Sequence, residues 1–399
     1  MTVIKAPRIL LPKPEIDLSK WSVIACDQFT SEPEYWQQLS LFVGDHPSTL
    51  HMIFPEVYLG KNDDATIRSI NNTMRDYESK NILRDLGECF ILVDRQTAYQ
   101  QRRLGLVIAI DLDEYVYAEQ TNALIRSTEK TVISRIPPRV KIRQDALYEL
   151  PHVQLLMNDH DEHIIEGLYE QRSTFEKLYD FQLSMKGGHL KGYRINDTEK
   201  VIKLLESQIN NGLLFIVGDG NHSLATAKAC WEALKTKLPK KDWDIHPSRY
   251  AMVELINIHD SGLEFEPIHR VMFDVSPDFQ VGLSALSQGT SHCITYNALT
   301  GEAPLMLPES APEAIRLVQD YLDDYIKTHP QASIDYVHGI DSLKSICSKD
   351  TRAVGITLPP MNKKDLFDYV ASKGVLPRKS FSMGEASEKR YYLECRKIK

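Results

Sequence analysis

Five apolar residues at 213–217, the polar turn Gly218-Asp219-Gly220-Asn221-His222 and a helix-forming run at 223–235 follow one another without a break. Few folds accommodate that order. A strand must end, turn within about five residues and enter a helix at once. Glycines at 218 and 220 permit positive φ and let a ligand approach the backbone. The first-turn N–H groups and the positive end of the helix dipole then face the turn, which makes the junction an anion site. Asn221 or Ser223 could serve as a simple helix cap. A cap alone needs neither a glycine-bracketed acid nor a histidine, so a functional reading is preferred. Gly218, Gly220, Asn221 and Ser223 are expected to bind phosphate, with Asp219 and His222 as the groups able to do chemistry.

The rest of the chain places this junction in a larger molecule. At 399 residues the chain exceeds one ordinary core, and two or three domains are expected. We expect an N-terminal α/β region at 1–120, a central region at 121–275 holding the turn, and a C-terminal α/β region at 276–399 with a basic closing loop. Helical spacing is read at 64–84, 161–181, 311–327 and 363–373, the last ended by Gly374. Ser31 is placed to cap a short helix with Pro33 in its first turn. Strands are read at 22–25, 90–93, 104–110, 155–157, 250–258, 334–338 and 353–358, with 90–93 and 104–110 as an antiparallel pair. The expectation is a mixed α/β or α+β fold, with more than one sheet and flanking helices.

Composition excludes some classes of function. The net charge of −8 disfavours a general nucleic-acid or membrane-surface binder. No stretch approaches the roughly 18 apolar residues of a membrane span, and the first residues lack a signal-peptide core. Six cysteines are scattered without a Cys-x-x-Cys pair, which suits small buried hydrophobes in a reducing cytoplasm and argues against thiolate zinc.

Three further segments carry candidate chemistry. Residues 125–143 hold six basic side chains and one acid, Glu129. That bias is either a binding face for phosphate or carboxylate, with Arg126 in it, or a solvated helix stopped at Ile136-Pro-Pro138. A carboxylate among cations stays ionised, which suits Glu129 as a general base or metal ligand. Pro267-Ile-His269-Arg270 offers a titrating group and a cation, or a structural pair. Residues 371–399 carry eight Lys or Arg against three Glu, and the loop at 374–385 with Arg378 and Lys379 could close over an anion. His160 and His163 fall where a helix should begin and are expected to be exposed. Residues 218–223 narrowly miss the dinucleotide fingerprint, because its third glycine is Ser223. A carboxylate in the loop would repel bare pyrophosphate, so Asp219 points to a bound Mg²⁺ or to a group that takes a proton.

Taken in order, Arg126–Thr131, the turn at 218–222 with its following helix, 267–270 and the 374–384 loop resemble the bacterial and archaeal family called domain of unknown function 1015. The resemblance runs over essentially the whole chain and implies no function by itself. The turn alone also resembles the Asp-Gly-His-His-Arg turn of the ParB-like superfamily, which includes ADP-dependent kinases of free serine. That likeness implies a strand–turn–helix cradle for nucleotide phosphates, with Asp219, Gly220 and His222 on the turn. Asn221 stands for the first histidine and Ser223 for the arginine, so the missing cation would come from Arg126, Arg270 or Lys379. Glu129 is the matching candidate for the kinases' base.

These expectations converge on transfer of phosphoryl from ADP or ATP, with Mg²⁺, to a small serine-like hydroxylated metabolite. The expected catalytic groups are Glu129, Asp219 and His222. The phosphate-binding set adds Arg126, His269, Arg270, Arg378 and Lys379 to the turn. The partners would be a nucleotide and a metabolite, with a homodimer left open. The alternatives are a non-catalytic nucleotide or metabolite sensor and a ParB-like DNA-associated protein.

Overall fold

The computed structural model describes residues 2–399 and is a mixed α/β molecule with parallel and antiparallel strand pairs flanked by helices. Two compact units form. One comprises the residues up to Leu263 together with Glu385–Lys399, and the other is Glu264–Gly384.

The first unit is organised by a ten-stranded sheet. Its order is Glu176–Gln182, His189–Ile195, Phe90–Gln96, Arg103–Asp111, Tyr250–Asn257, Gln154–Met157, Phe215–Asp219, Ile125–Ser127 and Tyr115–Val116, with Ile4–Lys5 beside Arg103–Asp111. This order explains why regions divided at 120 and 275 do not exist as separate bodies. Arg103–Asp111 pairs antiparallel with Tyr250–Asn257, so the expected N-terminal and central regions share one sheet. Every residue of Arg103–Asp111 is buried, as a strand covered on both faces requires. Hydrophobic clusters around Ile91, Val107 and Met252, and around Leu106, Leu155 and Phe215, pack against the sheet.

The C-terminal residues complete this unit. Tyr391–Tyr392 pairs with Val23–Ile24, and Arg396–Lys397 pairs with Tyr148–Glu149. The indole of Trp21 donates to the Leu393 carbonyl at 3.0 Å. The basic tail at 371–399 is therefore divided. Residues up to Gly384 belong to the second unit, and Glu385–Lys399 are built into the first.

Most sequence-read elements recur, including the antiparallel pair Phe90–Gln96 and Arg103–Asp111 and the helices Asp63–Ser79, Ala311–Thr328 and Lys363–Lys373. Three differ. The helix expected at 161–181 is only Ile165–Glu170, after which Glu176–Gln182 becomes an edge strand. Gly192 on the neighbouring strand makes that pairing possible, since a Cβ there would lie 2.1 Å from the Tyr179 ring. Ile136-Pro-Pro138 opens the helix Ile136–Arg143 instead of stopping one, because proline fits a first turn. Glu32, not Ser31, precedes the helix Pro33–Val43.

The second unit has a six-stranded sheet. Gly301–Leu307, Ser291–Asn297, Val354–Ile356, Phe265–Phe273 and Ser333–His338 lie in that order, and Phe381–Met383 pairs with the start of Phe265–Phe273. Val271, Val337, Leu343, Cys347 and Ala353 form a small core beneath it. Among the described residues no helix is long and apolar enough to cross a membrane.

Candidate active site in the first unit

The strand Phe215–Asp219 runs parallel to Ile125–Ser127, with Val217 opposite Ser127. Both strands end at the same edge, the carboxyl edge where α/β sheets bind ligands. The helix Asn221–Lys235 starts there. Gly220 is the residue before the helix and has φ of 83°. A Cβ at this position would also come within 3.0 Å of the Val153 backbone, so conformation and space both call for glycine. Gly218 has no positive φ. No side chain caps the helix, so Asn221 and Ser223 do not serve as caps. The Asn221 side-chain oxygen is itself shielded from solvent without a hydrogen-bond partner.

The segment after Ile125–Ser127 is fastened to this turn. Thr128 donates to the Val217 carbonyl at 2.6 Å, and the Val132 N–H donates to His222 Nε2 at 3.2 Å. His222 Nε2 is thus an acceptor, which leaves the proton of the neutral ring on Nδ1. Glu129 lies between these two ties and is half-buried. The segment that carries Glu129 is therefore tied to His222 through Val132.

Asp219 is not an open carboxylate. Its Oδ1 accepts the Gly220 N–H at 2.9 Å, and its Oδ2 lies 3.2 Å from Lys389 Nζ. Burial pushes the Asp219 carboxyl up, but Lys389, His152 and the Gly220 N–H outweigh it and hold the group below the usual carboxylate range. Among the described residues, no three His, Cys, Asp or Glu side chains gather as metal ligands. With its oxygens engaged in this way, Asp219 does not fit the expected role of a protein ligand for Mg²⁺. The Lys389 ammonium offers positive charge at the turn instead.

A second chain of hydrogen bonds reaches the turn from beneath. Ser223 Oγ is 2.9 Å from His152 Nε2, and His152 Nδ1 is 2.8 Å from the Tyr392 hydroxyl. That hydroxyl also accepts the Cys26 N–H at 3.2 Å. Burial, with Cys26 and Asp27 nearby, pushes the Tyr392 phenol far above its ordinary value, so it keeps its proton. That proton can go to His152 Nδ1 or to the Cys26 sulfur. His152 Nε2 faces Ser223 Oγ, with Asp27 Oδ2 at 3.8 Å. The Ser223 hydroxyl can both donate and accept at this contact.

An ionic layer supports the turn. Gln154 stands opposite Asp219 across the sheet, and its Nε2 is 3.4 Å from Glu254 Oε2. Glu254 pairs with Arg390, which also holds Glu394. Burial raises the Glu254 carboxyl, but Arg390, Arg103 and Arg95 hold it below its ordinary value. Gly105 provides the room, since a Cβ there would collide with Glu254 Oε1.

The remaining expected site residues hold other partners or belong to the second unit. Arg126 donates to the Ala123 and Gly212 carbonyls at 2.8 and 3.0 Å, a structural role that closes the loops leading into both strands. Much of the basic run at 125–143 is likewise paired: Lys130 with Glu119, Arg139 with Glu56 and Arg143 with Glu149. It is not a bare cationic face. His269, Arg270, Arg378 and Lys379 all belong to the second unit. Arg270 is fully buried, donating to Gln319 and to the Ile268 carbonyl and stacking over Tyr336 at 4.7 Å. His269 Nδ1 accepts the Leu358 N–H at 3.2 Å. Arg378 holds Tyr336 and Asp323, and Lys379 follows it in a left-handed conformation with φ of 56°. His160 and His163 are exposed, as expected.

Sequence reasoning missed Lys389, His152 and Tyr392. The composition of the tail registered Lys389 only as one of several cations. No local pattern joins position 152 or 392 to position 223, because that link is tertiary.

A family pattern over most of the chain places it in a defined family. It belongs to the family described as protein of unknown function (DUF1015), whose pattern matches residues 8–339. No curated protein matches the chain. Among solved structures, a conserved hypothetical protein from Pyrococcus furiosus is similar with a TM-score of 0.36 and 11% identity, over 72% of this chain and 90% of that one. Free serine kinase in complex with AMP gives 0.42 and 8%, over 73% and 92%. A mutant of free serine kinase in complex with ADP gives 0.42 and 9% over the same shares. Likenesses at these TM-scores carry no argument about the chemistry of this chain.

Proposed function

We propose that this protein binds a nucleotide through its phosphates at residues 218–223 and transfers phosphoryl to a small hydroxylated metabolite. The observation that carries the reading is the uncapped start of a 15-residue helix, entered through left-handed Gly220, with the Lys389 ammonium held beside it by Asp219. Phosphoryl transfer asks mainly for positioning and charge neutralisation. Backbone N–H groups, the helix dipole, Lys389 and the Ser223 hydroxyl supply donors for the phosphate oxygens. Glu129 is the base we assign to the acceptor hydroxyl, because it is a half-buried carboxylate just past the end of the neighbouring parallel strand.

The AMP and ADP complexes of free serine kinase select the first ligands to try. Isothermal calorimetry with ADP and ATP is expected to show binding by the wild type. In Gly220→Val, left-handed strain of about 1–3 kcal/mol and a side chain against Val153 should weaken binding at least a hundredfold. Glu129→Gln should bind nucleotide as the wild type does and lose about 10²–10⁴-fold in turnover. Equal nucleotide affinity in wild type and Gly220→Val would remove the turn from the reading. Full turnover in Glu129→Gln would remove Glu129 as base.

A further inference from the structure

Beside the turn, within the first unit, lies a cavity of about 150 Å³. Met52, Ile53, Phe54, Ile70, Met74 and Ile142 form much of its wall, and His152, Ser223 and Tyr392 also border it. The charged side chains on the wall already have partners: Arg139 is paired with Glu56, and Arg143 with Glu149. The Glu149 carboxylate further accepts the Met252 N–H and pairs with Arg396. An ammonium and carboxylate brought in by a zwitterion would have to break those pairs to be satisfied, at the cost of leaving buried charges unpaired.

The size and the lining agree on an occupant. An apolar cavity of about 150 Å³ accepts a benzene-sized body. At the polar border, His152 Nε2 lies 2.9 Å from Ser223 Oγ, and the Ser223 hydroxyl can both donate and accept. A single hydroxyl on the ligand could join that pair without an additional charge.

We infer that this cavity is the acceptor subsite and that it takes an uncharged alcohol with a ring-sized apolar body, its hydroxyl set at Ser223 and His152. The identification of the ligand as phosphoryl acceptor rests on the function proposed above. The binding site itself does not, and free serine is excluded from it.

Calorimetry on the full chain with benzyl alcohol, in the absence of nucleotide, tests the subsite. Binding is expected, unaffected by free serine. Ala227→Met and Leu150→Trp each add bulk at a lining position, and each should weaken benzyl alcohol at least tenfold, with thermal melts identifying any variant that fails to fold. Ser223→Ala should weaken benzyl alcohol several-fold and leave toluene, which lacks the hydroxyl, unchanged. Absence of benzyl alcohol binding, displacement by serine, or undiminished binding in both folded filling variants would overturn the subsite. Binding with the expected variant pattern but no phosphorylated benzyl alcohol in the presence of ATP or ADP would leave the subsite standing and count against its role as acceptor site.

Discussion

Both units bury a histidine near an arginine, and they use them in opposite ways. In the first unit His152 lies in a relay from Tyr392 to Ser223 and borders both a cavity and an uncapped helix start. Arg390 in the same unit is locked between Glu254 and Glu394 and supports the turn without being part of it. In the second unit His269 and Arg270 sit inside one strand. They are tied to Leu358, Gln319 and Tyr336 in a way that completes the interior. Buried charge therefore does not by itself mark a site. The distinguishing feature of the first unit is polar side chains meeting backbone N–H groups at the carboxyl edge of parallel strands.

The largest effect expected from this contrast is in the second unit. Arg270→Ala should destabilise it by about 2–4 kcal/mol, through lost packing and orphaned acceptors at Gln319 and Ile268. ADP affinity measured by calorimetry at a temperature where the variant is folded should stay unchanged. A large loss of affinity would return Arg270 to the binding set. Asp219→Ala is the counterpart in the first unit. It removes the carboxylate beside Lys389, whose side chain is 9% exposed, and should cost about 1–3 kcal/mol in urea unfolding. This carboxylate is thus part of the structure as well as of the turn. Asp219→Ala with wild-type stability would show that the Lys389 pair contributes nothing.

The two units also separate by pH. Burial first, then Arg270 and His338, push His269 down to about 4, from an ordinary value of 6.5. Between those values the unfolded chain binds a proton at this position and the folded chain does not. Folding stability from this group is therefore complete above about pH 6.5 and lost as pH falls towards 4, at up to about 1.4 kcal/mol per pH unit. Glu166 works in the opposite sense, since burial raises its carboxyl to about 6. Comparing wild type with His269→Gln isolates the histidine slope: the variant's urea midpoint should change less steeply between pH 6.5 and 4. Asp219 and Glu254 have lowered folded values, so their contribution is present above the unfolded carboxylate range and is lost only on further acidification.

Local pattern made the junction at 213–235 legible. The change from an apolar run to glycine-bracketed polar residues to a helical composition has one economical solution, and Phe215–Asp219 followed by Asn221–Lys235 is that solution. The antiparallel pair at 90–111 was legible for the same reason. The division of the chain was not, because it depends on Phe265–Phe273 entering a second sheet and on Glu385–Lys399 returning to the first unit. The same return brings Lys389 and Tyr392 to the turn, nearly 170 residues after Asp219 and Ser223. The helix expected at 161–181 failed because apolar residues in a short stretch satisfy either period, and the free edge at His189–Ile195 decided for a strand.

The smallest expected effect concerns Arg378, the residue on which the closing-loop expectation depended. Its guanidinium donates to the Tyr336 hydroxyl at 2.6 Å and to Asp323 at 3.1 Å, and its side chain is 43% exposed. An exposed pair of this kind contributes at most about 1 kcal/mol, because water and salt screen both partners. Arg378→Ala should therefore shift the urea midpoint by no more than a few tenths of a molar and leave ADP affinity within twofold. If Arg378 instead closed over a bound phosphate, its removal would cost a charge-assisted hydrogen bond of about 1.5–3 kcal/mol, or at least tenfold in affinity. That loss would become smaller as salt is raised. A salt-dependent tenfold loss would join the second unit to the binding of nucleotide, whereas a near-zero effect would keep its arginines as supports of its own interior.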